Sequence, residues 1–496
     1  MKTLESILKF FNVDEVLGLN LDINNVEITN LCLDSRKCQA GNLFIAQAGH
    51  INSGVDFVDG AFLNGAVVAF VDSAIEGSSK ANQENIFYIN NLTGKLPEFS
   101  AWFYDNPSDG FSIIGVTGTN GKSSVCHFYA QLQTLLEAPV GVLGTIGNGV
   151  WPKVKPSYLT TLDCITLQQE LQEMVGCVDS VCIESSSHGL IQNRVSAVYI
   201  TIAVWTNLSP EHLDYHENIE SYYQAKKILF LKSSVKTAII NIHDAYGQRL
   251  WQELETERSE LSLISYSIFD EKADFKFENI QPIENGYRAE YIFNGVKQSV
   301  LLPVWGRFNC ENILAVCAMT YVINKTHDFL GKLSDLVGVK GRMESVQSTS
   351  LAQNVLIDFA HTSDALEKAL LSLKESVKGQ AWCVFGCGGE RDKFKRPQMA
   401  EIAERLADHV IVTEDNSRNE SFETIQQDIC RGFKSGKAIV IGDRKEAIRY
   451  ALQQAQSNDM ILIAGKGHEQ YQDKNGQKKP FNEREIIEAF ERDILC

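Results

Sequence analysis

Positive charge is what this chain is short of. It has 46 Lys and Arg against 63 Asp and Glu, a net charge of −17. That deficit argues against a general binder of nucleic acid or anionic membrane, although a local basic pocket could still hold phosphates. Long apolar runs are missing too. No stretch approaches the ~18 uninterrupted apolar residues of a membrane span. The N-terminal MKTLESILKFFNVDEVLG carries Glu5, Asp14 and Glu15 and has no signal-peptide apolar core, so a cytoplasmic chain is expected. The 12 cysteines contain no CxxC pair, which speaks against a zinc framework and for buried thiols. No repeat of 20–50 residues and no low-complexity segment is visible. The content that is there is ordinary: 44% hydrophobic and 22% charged residues, which excludes disordered, collagen-like and fibrous classes. At about 150 residues per domain, 496 residues suggest roughly three domains.

Three regions differ in what they contain. Residues 1–95 hold short apolar runs between turn residues: LFIAQAG (43–49) reads as a strand, VDFVDGAFLNG then AVVAFVD as helix and strand, and GHINSG (49–54) as a loop. Residues 96–335 contain strand-like runs FSIIGVT (111–117), VGVLG (140–144), SVCIES (180–185), VYITIAVWT (198–206) and KTAIIN (236–241), with helical stretches between several of them. Residues 336–496 repeat the alternation in NVLIDFA (354–360), WCVFG (382–386), HVIVTED (409–415), KAIVIGD (437–443) and MILIAGKG (460–467). LEKALLSLKES, between the first two, is amphipathic at helical spacing. The expected fold is α/β: a small N-terminal α/β domain, a central P-loop-type mostly parallel sheet, and a C-terminal doubly wound sheet. Ligands of such sheets sit beyond the carboxyl ends of strands, which here run into AHTSD, CGGERDK, EDNSRNE and GKGHE.

The sharpest signal is strand, then Gly118-Thr119-Asn120-Gly121-Lys122-Ser123, then the helical spacing of VCHFYAQLQTLL. Glycines let backbone N–H groups face phosphate oxygens, and a helix N-terminus adds partial positive charge. Lys122 can reach the β- and γ-phosphates and the Ser123 hydroxyl can ligate Mg²⁺. The pattern is not a strict GxxxxGK[ST], because Val116 stands where the first glycine would be. Glu184, at a strand end before Ser185-Ser186-Ser187-His188, is a plausible carboxylate for the same cation. Taken alone it would read as a loop-edge charge, and His188 as a packed or capping histidine. TNLSPEHLDYHENIESYYQAKKILF (206–230) then places a histidine-rich loop before an amphipathic helix.

With these motifs in this order, the chain resembles the Mur ligase family, ATP-dependent amide-forming ligases of peptidoglycan precursor synthesis. Gly118–Ser123 resembles the family phosphate loop. Glu184 with Ser186-Ser187-His188, Asn207-Leu208-Ser209-Pro210-Glu211-His212-Leu213-Asp214-Tyr215-His216 and Ala225-Lys226-Lys227-Ile228-Leu229-Phe230 resemble its next elements. The likeness continues through Gly306-Arg307-Phe308-Asn309, Asn312, Gly341-Arg342-Met343-Glu344, Asp358-Phe359-Ala360-His361-Thr362 and Asp443-Arg444. The resemblance implies ATP contacts from Thr117, Gly118, Thr119, Asn120, Gly121, Lys122, Ser123, Asn309, Arg342, Asp358 and His361. It implies catalytic roles for Lys122, Lys226 and His188. Ser123 and Glu184 would hold one Mg²⁺, and His188 with Lys226, carried as a CO₂-derived carbamate, a second.

Within the family, several segments resemble the ligase of the third residue. Asp34-Ser35-Arg36 and Gly41-Asn42-Leu43-Phe44 resemble its uridine segment, with Leu33 and Ser35 at the nucleotide. Thr160, Thr161, Ser186, Gln192 and Arg194 match its muramoyl-peptide positions; Leu159 stands where Asn is frequent. Enzymes of this branch that use meso-diaminopimelate carry Asp-Asn-Pro-Arg, and here Asp415-Asn416-Ser417-Arg418 keeps the arginine without the proline. A guanidinium suits the second carboxylate that distinguishes diaminopimelate from lysine. Arg391, Gly465 and Glu469 would complete that pocket.

The implied reaction adds meso-diaminopimelate to UDP-N-acetylmuramoyl-L-alanyl-D-glutamate through an acyl phosphate, with ATP and Mg²⁺. The implied domains are uridine-binding (1–95), ATP-binding (96–335) and amino-acid-binding (336–496). Small molecules are the expected partners, with no nucleic acid and no membrane insertion, and the chain is expected to be a monomer. A lysine-adding ligase of the same step and a folylpolyglutamate-type synthetase stay open. So does a non-catalytic nucleotide-binding regulator, which would need a broken metal site.

Overall fold

The computed structural model describes residues 1–13, 25–47, 53–75, 85–346, 353–436 and 438–495. Ala48 and Gly49 of LFIAQAG, residues 49–52 of GHINSG and Lys437 of KAIVIGD lie outside them.

Three sheets organise the chain. The first has four parallel strands, in the order Asn30–Cys32, Asn42–Ala46, Ala66–Asp72, Ile86–Ile89. Its helix Leu92–Phe103 crosses residue 95 and buries Leu92, Leu96, Phe99 and Phe103 with Leu4, Ile7 and Leu8 of an N-terminal helix. Cys164 and Ile165 of the central region join the same cluster, so the first unit is seated on the second. Gln169 Nε2 reinforces that seam by donating to Asn30 Oδ1 at 2.7 Å and Tyr104 Oη at 2.9 Å.

The central sheet has ten strands. Its parallel body runs Phe275–Ile283, Ser262–Ser267, Thr237–Asn241, Ile202–Trp205, Ser112–Thr117, Ser180–Glu184, Val140–Leu143. Apolar clusters cover both faces, which is why these strands read as continuous apolar runs. The helix Lys122–Leu135 follows the middle strand and buries Val125, Phe128, Tyr129 and Leu132, one stripe at i, i+3, i+4, i+7.

Two features differ from the sequence reading. Of VYITIAVWT only Ile202–Trp205 is strand, although Val198 and Ile200 are buried in its lead-in. The sheet also gains an antiparallel extension, Phe275–Ile283, Gly286–Phe293 and Val296–Leu302. These strands alternate buried and exposed residues, so a search for continuous apolar runs passes over them. The local signal was Asn294-Gly295, both at positive φ in the two-residue hairpin turn.

The third sheet is ordered Glu344–Val346, Asn354–Asp358, Met460–Ala464, Ala381–Phe385, His409–Val412, Ile439–Val440; every pair is parallel except the first. Of KAIVIGD only Ile439–Val440 pairs, at the sheet edge. Helices pack on both faces, as in a doubly wound sheet. LEKALLSLKES lies within the helix Ser363–Ser376, capped by the Thr362 hydroxyl. Among the described residues all cysteines are free thiols, and only Cys177 is exposed. No described helix is long and apolar enough to cross a membrane.

Candidate functional site

The phosphate loop is held by its neighbours' backbone and short polar side chains. Thr206 Oγ1 donates to Asn120 O (2.6 Å), Asn120 N to Asn207 Oδ1 (3.0 Å) and Thr119 N to Asn207 O (2.8 Å). Gly118 has φ +147°, and a Cβ there would fall 1.9 Å from Thr206 Oγ1. Only glycine meets both conditions. Lys122 folds back at the helix start, donating to Gly118 O (2.8 Å) and Thr119 O (2.9 Å).

Ser123 and Glu184 meet as the sequence suggested. Ser123 Oγ donates to Glu184 Oε2 at 3.0 Å, while Thr145 donates its N–H to Oε1 (2.8 Å) and its hydroxyl to Oε2 (3.1 Å). Glu184 is fully buried, so these three donors replace its hydration.

A cavity of about 720 Å³ opens from this loop between the central and C-terminal units. Thr119–Ser123, Thr160 and Glu184 line one wall, Arg342, Asp358 and His361 the other. Several contacts span the cleft, among them the ion pair of Arg307 Nε with Glu375 Oε1 at 3.0 Å. Asp364 Oδ2 accepts from Asn120 Nδ2 (3.1 Å) and Ser209 Oγ (3.0 Å), Arg342 Nη2 reaches Ser123 Oγ (3.4 Å), and His361 Nε2 lies 3.7 Å from Glu211 Oε1. Asp358 supports the far wall, accepting from Met343 N (2.6 Å) and Ala360 N (2.8 Å). Asn309 sits beneath the cavity with Asn312, which packs against Gly121. Thr117 is buried in the strand that leads to the loop.

Lys226 is buried behind the loop and donates to Gly118 O at 2.8 Å. Burial, then the Lys122 ammonium, push its amine well below the ordinary lysine range, against an opposing pull from Glu211. Burial raises the Glu211 carboxyl, but His361, His212, Lys122 and Lys226 outweigh it and hold it below its usual value. Of the two neighbouring imidazoles His188 and His212, whose ring centroids are 5.0 Å apart, it is His212 that lines the cavity. Glu211 and His212 belong to the Asn207–His216 segment, in which the family resemblance assigns neither a role of its own. Among the described residues no group of three or more His, Cys, Asp or Glu side chains stands ready to hold a metal. The oxygens of Ser123 and Glu184 nonetheless suit a hard cation such as Mg²⁺.

The other predicted residues form separate groups. Thr161 Oγ1 and Ser186 Oγ are 2.9 Å apart, and Arg194 joins them, donating to Thr161 O (2.6 Å) and to Gln192 Oε1 (2.6 Å). Leu33 and Ser35 lie in the first unit, with Ser35 O accepting from Asn64 Nδ2 at 3.0 Å. In the third unit Asn416 Nδ2 donates to Glu469 Oε2 (2.8 Å), and Arg418 Nη1 to Gly389 O (2.6 Å). Ser417 is buried, and Arg391 is exposed beside Gly388. Gly465, at φ +121°, would put a Cβ 2.6 Å from Asp415 Oδ2. Sequence reasoning missed Thr145, Asp364 and Lys466; only Lys466, a lone cation inside the GKGHE run, carried a local signal.

A phosphate loop facing a second α/β unit across a cleft suits an enzyme that brings a nucleoside triphosphate to an acceptor held by that unit. Family models match in three places: "Mur ligase family, catalytic domain" over residues 27–101, "Mur ligase middle domain" over 116–320 and "Mur ligase, glutamate ligase domain" over 341–467. UDP-N-acetylmuramoyl-L-alanyl-D-glutamate–2,6-diaminopimelate ligase of Coxiella burnetii is 42% identical over 468 residues, 93% of this chain and 95% of that protein. A solved structure under the same enzyme name is 31% identical with a TM-score of 0.68, covering 99% of both chains. The MurF ligase of Thermotoga maritima, solved with ADP, is 18% identical with a TM-score of 0.67, covering 95% of this chain and 99% of its own, and speaks for the fold alone. The chain belongs to the Mur ligase family, and it is an ATP-dependent, ADP-forming ligase.

Proposed function

We infer that the protein joins 2,6-diaminopimelate to UDP-N-acetylmuramoyl-L-alanyl-D-glutamate in the cytoplasm, the reaction named for its relatives. One observation carries this reading beyond family likeness. The loop that follows the strand His409–Val412 keeps an arginine, Arg418, whose Nε and Nη2 bind no protein group among the described residues. An amino acid with a second carboxylate would use those donors, whereas lysine would leave them idle.

ATP lies along Gly118–Ser123, and Thr161, Ser186, Gln192 and Arg194 hold the peptide end of the nucleotide-linked substrate. The glutamyl side-chain carboxylate attacks the γ-phosphorus and ADP leaves, giving an acyl phosphate. The amine of the incoming amino acid attacks the acyl carbon, phosphate leaves with the bonding pair, and the nitrogen sheds a proton. Lys122 and Arg342, from opposite walls, offset charge on the transferred phosphoryl group. Mg²⁺, when bound, neutralises phosphate charge. Ser123 and Glu184 would hold one ion; Lys226 as a carbamate would serve a second with an imidazole, for which His212 lines the cavity and His188 is its neighbour. A neutral amine is the form that adds CO₂, releasing one proton, and the buried setting of Lys226 favours that form.

The test is phosphate release with ATP, Mg²⁺ and the UDP-dipeptide, with meso-diaminopimelate in one reaction and L-lysine in another. Turnover with diaminopimelate alone supports the reading; turnover with lysine alone refutes it. Lys226→Ala is expected to lose most activity and to recover part of it with added short carboxylic acids. Undiminished turnover in that variant would remove the carbamate.

A further inference from the structure

The strongest unassigned feature is a buried chain of alternating charges under the third unit's loops. Lys466, two residues beyond the strand Met460–Ala464, is fully buried. Its ammonium meets three acceptors: Asn416 Oδ1 at 2.8 Å, Asp415 Oδ1 at 3.3 Å and Glu469 Oε2 at 3.3 Å. An ammonium has three donors, so none remains for a ligand. Asn416 is engaged on both ends: Nδ2 donates to Glu469 Oε2, and Oδ1 also accepts from Asp473 N at 2.9 Å. Beyond Asp415 stands Arg444, bound to Glu483 (2.8 Å) and Ala464 O (2.7 Å). The result is asymmetric at Glu469. Oε2 takes both Asn416 and Lys466, whereas among the described residues Oε1 has only a long contact to the Tyr471 hydroxyl at 3.5 Å.

We propose that Lys466 is the positioning residue of the amino-acid subsite, locking Asn416 and one oxygen of Glu469 so that the other oxygen is presented to the substrate's ammonium group. This rests on the amino-acid reading of these loops. A cation whose donors are all used inside the protein acts through the residues it fixes. Without it, Asp415 and Glu469 would face each other with no cation between them, and Glu469 would turn toward solvent.

The experiment uses the full chain and determines KM separately for diaminopimelate, ATP and the UDP-dipeptide in wild type, Lys466→Met and Lys466→Arg. Absence of wild-type turnover with diaminopimelate would refute the proposed function, whatever the variants do. With wild type active, Lys466→Met is expected to raise the diaminopimelate KM roughly 10- to 100-fold, the scale of one charge-assisted contact. The KM values for ATP and the UDP-dipeptide should stay within about twofold, since those sites lie across the cleft and the charge-assisted contact is local. Lys466→Arg, which keeps the charge, should fall between the two. A diaminopimelate KM unchanged in both variants, or all three KM values rising together, overturns the proposal. Should Lys466→Met fail to fold, the arginine variant decides by the same split.

Discussion

The two walls of the cleft are built from different materials. On the phosphate side, atoms are fixed by backbone and short neutral side chains: Gly118 at φ +147°, Thr119 N on Asn207 O, Thr206 Oγ1 on Asn120 O. Behind the far wall, the third unit's loops are tied by charged side chains: Lys466 to Asp415 and Glu469, Arg396 to Glu420 and Asp428, Arg444 to Glu483. A backbone cradle suits a phosphate, which is the same in every turnover. A cradle of side chains can be retuned one residue at a time to fit a different amino acid. The comparison teaches that substitutions on the first wall should abolish activity, and substitutions on the second should redirect or loosen it.

The sharpest way to break that contrast is Gly118→Ala. The added Cβ has nowhere to go, and displacing reacting groups by about 1 Å typically costs ~100-fold in rate. We expect at least that loss in phosphate release, with the circular dichroism spectrum unchanged. An alanine variant near wild-type turnover would mean the loop is not a rigid cradle.

This contrast also explains what could be read from sequence. Gly118–Ser123 was legible because cradle and meaning are contiguous. Glu184 and Ser123 were legible as a pair because they follow adjacent strands of one sheet: Glu184 ends its strand, and Ser123 opens the helix after the loop of the neighbouring strand, 61 residues away. Asp364 was not, since nothing local marks the first turn of an amphipathic helix as the place where Asn120 and Ser209 arrive. Nor was His212 separable from His188: both fall in histidine-rich stretches, and only the left-handed turn at His212 (φ +56°) and the packing of the loop decide which ring reaches the cavity. The central parallel strands were legible from apolar runs, whereas the alternating strands 275–302 needed the periodicity of a half-exposed sheet.

Selectivity sharpens the comparison from the other wall. Arg418→Met removes the free guanidinium donors while leaving the phosphate wall untouched. The expected result is a roughly 10- to 100-fold fall in kcat/KM for diaminopimelate, with little change for L-lysine if it turns over at all. Competition assays with both amino acids read this directly. An equal fall for both would show Arg418 to be a scaffold residue, held to Gly389 O and no more.

The smallest expected effect is on stability, and its sign follows from the charges. Arg396 is fully buried and pairs with Glu420 at 2.7 Å and Asp428 at 2.9 Å. The Arg396 hydrogen bonds lead among the causes that hold the Glu420 carboxyl at about 2, against burial, which raises it. Its unfolded value is ~4.3. A carboxyl depressed in the folded state contributes stability that is fully present above the unfolded value and is lost as pH falls through the folded one. The pair's contribution should therefore be intact at neutral pH and vanish between about 4 and 2. Glu420→Gln removes that ionisation and leaves Arg396 with Asp428 alone. Urea unfolding should show the variant less stable than wild type at pH 7, with the gap closing toward pH 2. A gap that stays constant across that range would mean Glu420 acts by packing and not by charge. The Gly118–Asn120 loop is held by backbone, hydroxyl and amide contacts to Thr206 and Asn207 that do not titrate, so the loops around Gly388 and Arg418 should loosen before it on acidification, which amide hydrogen exchange at pH 3 would locate.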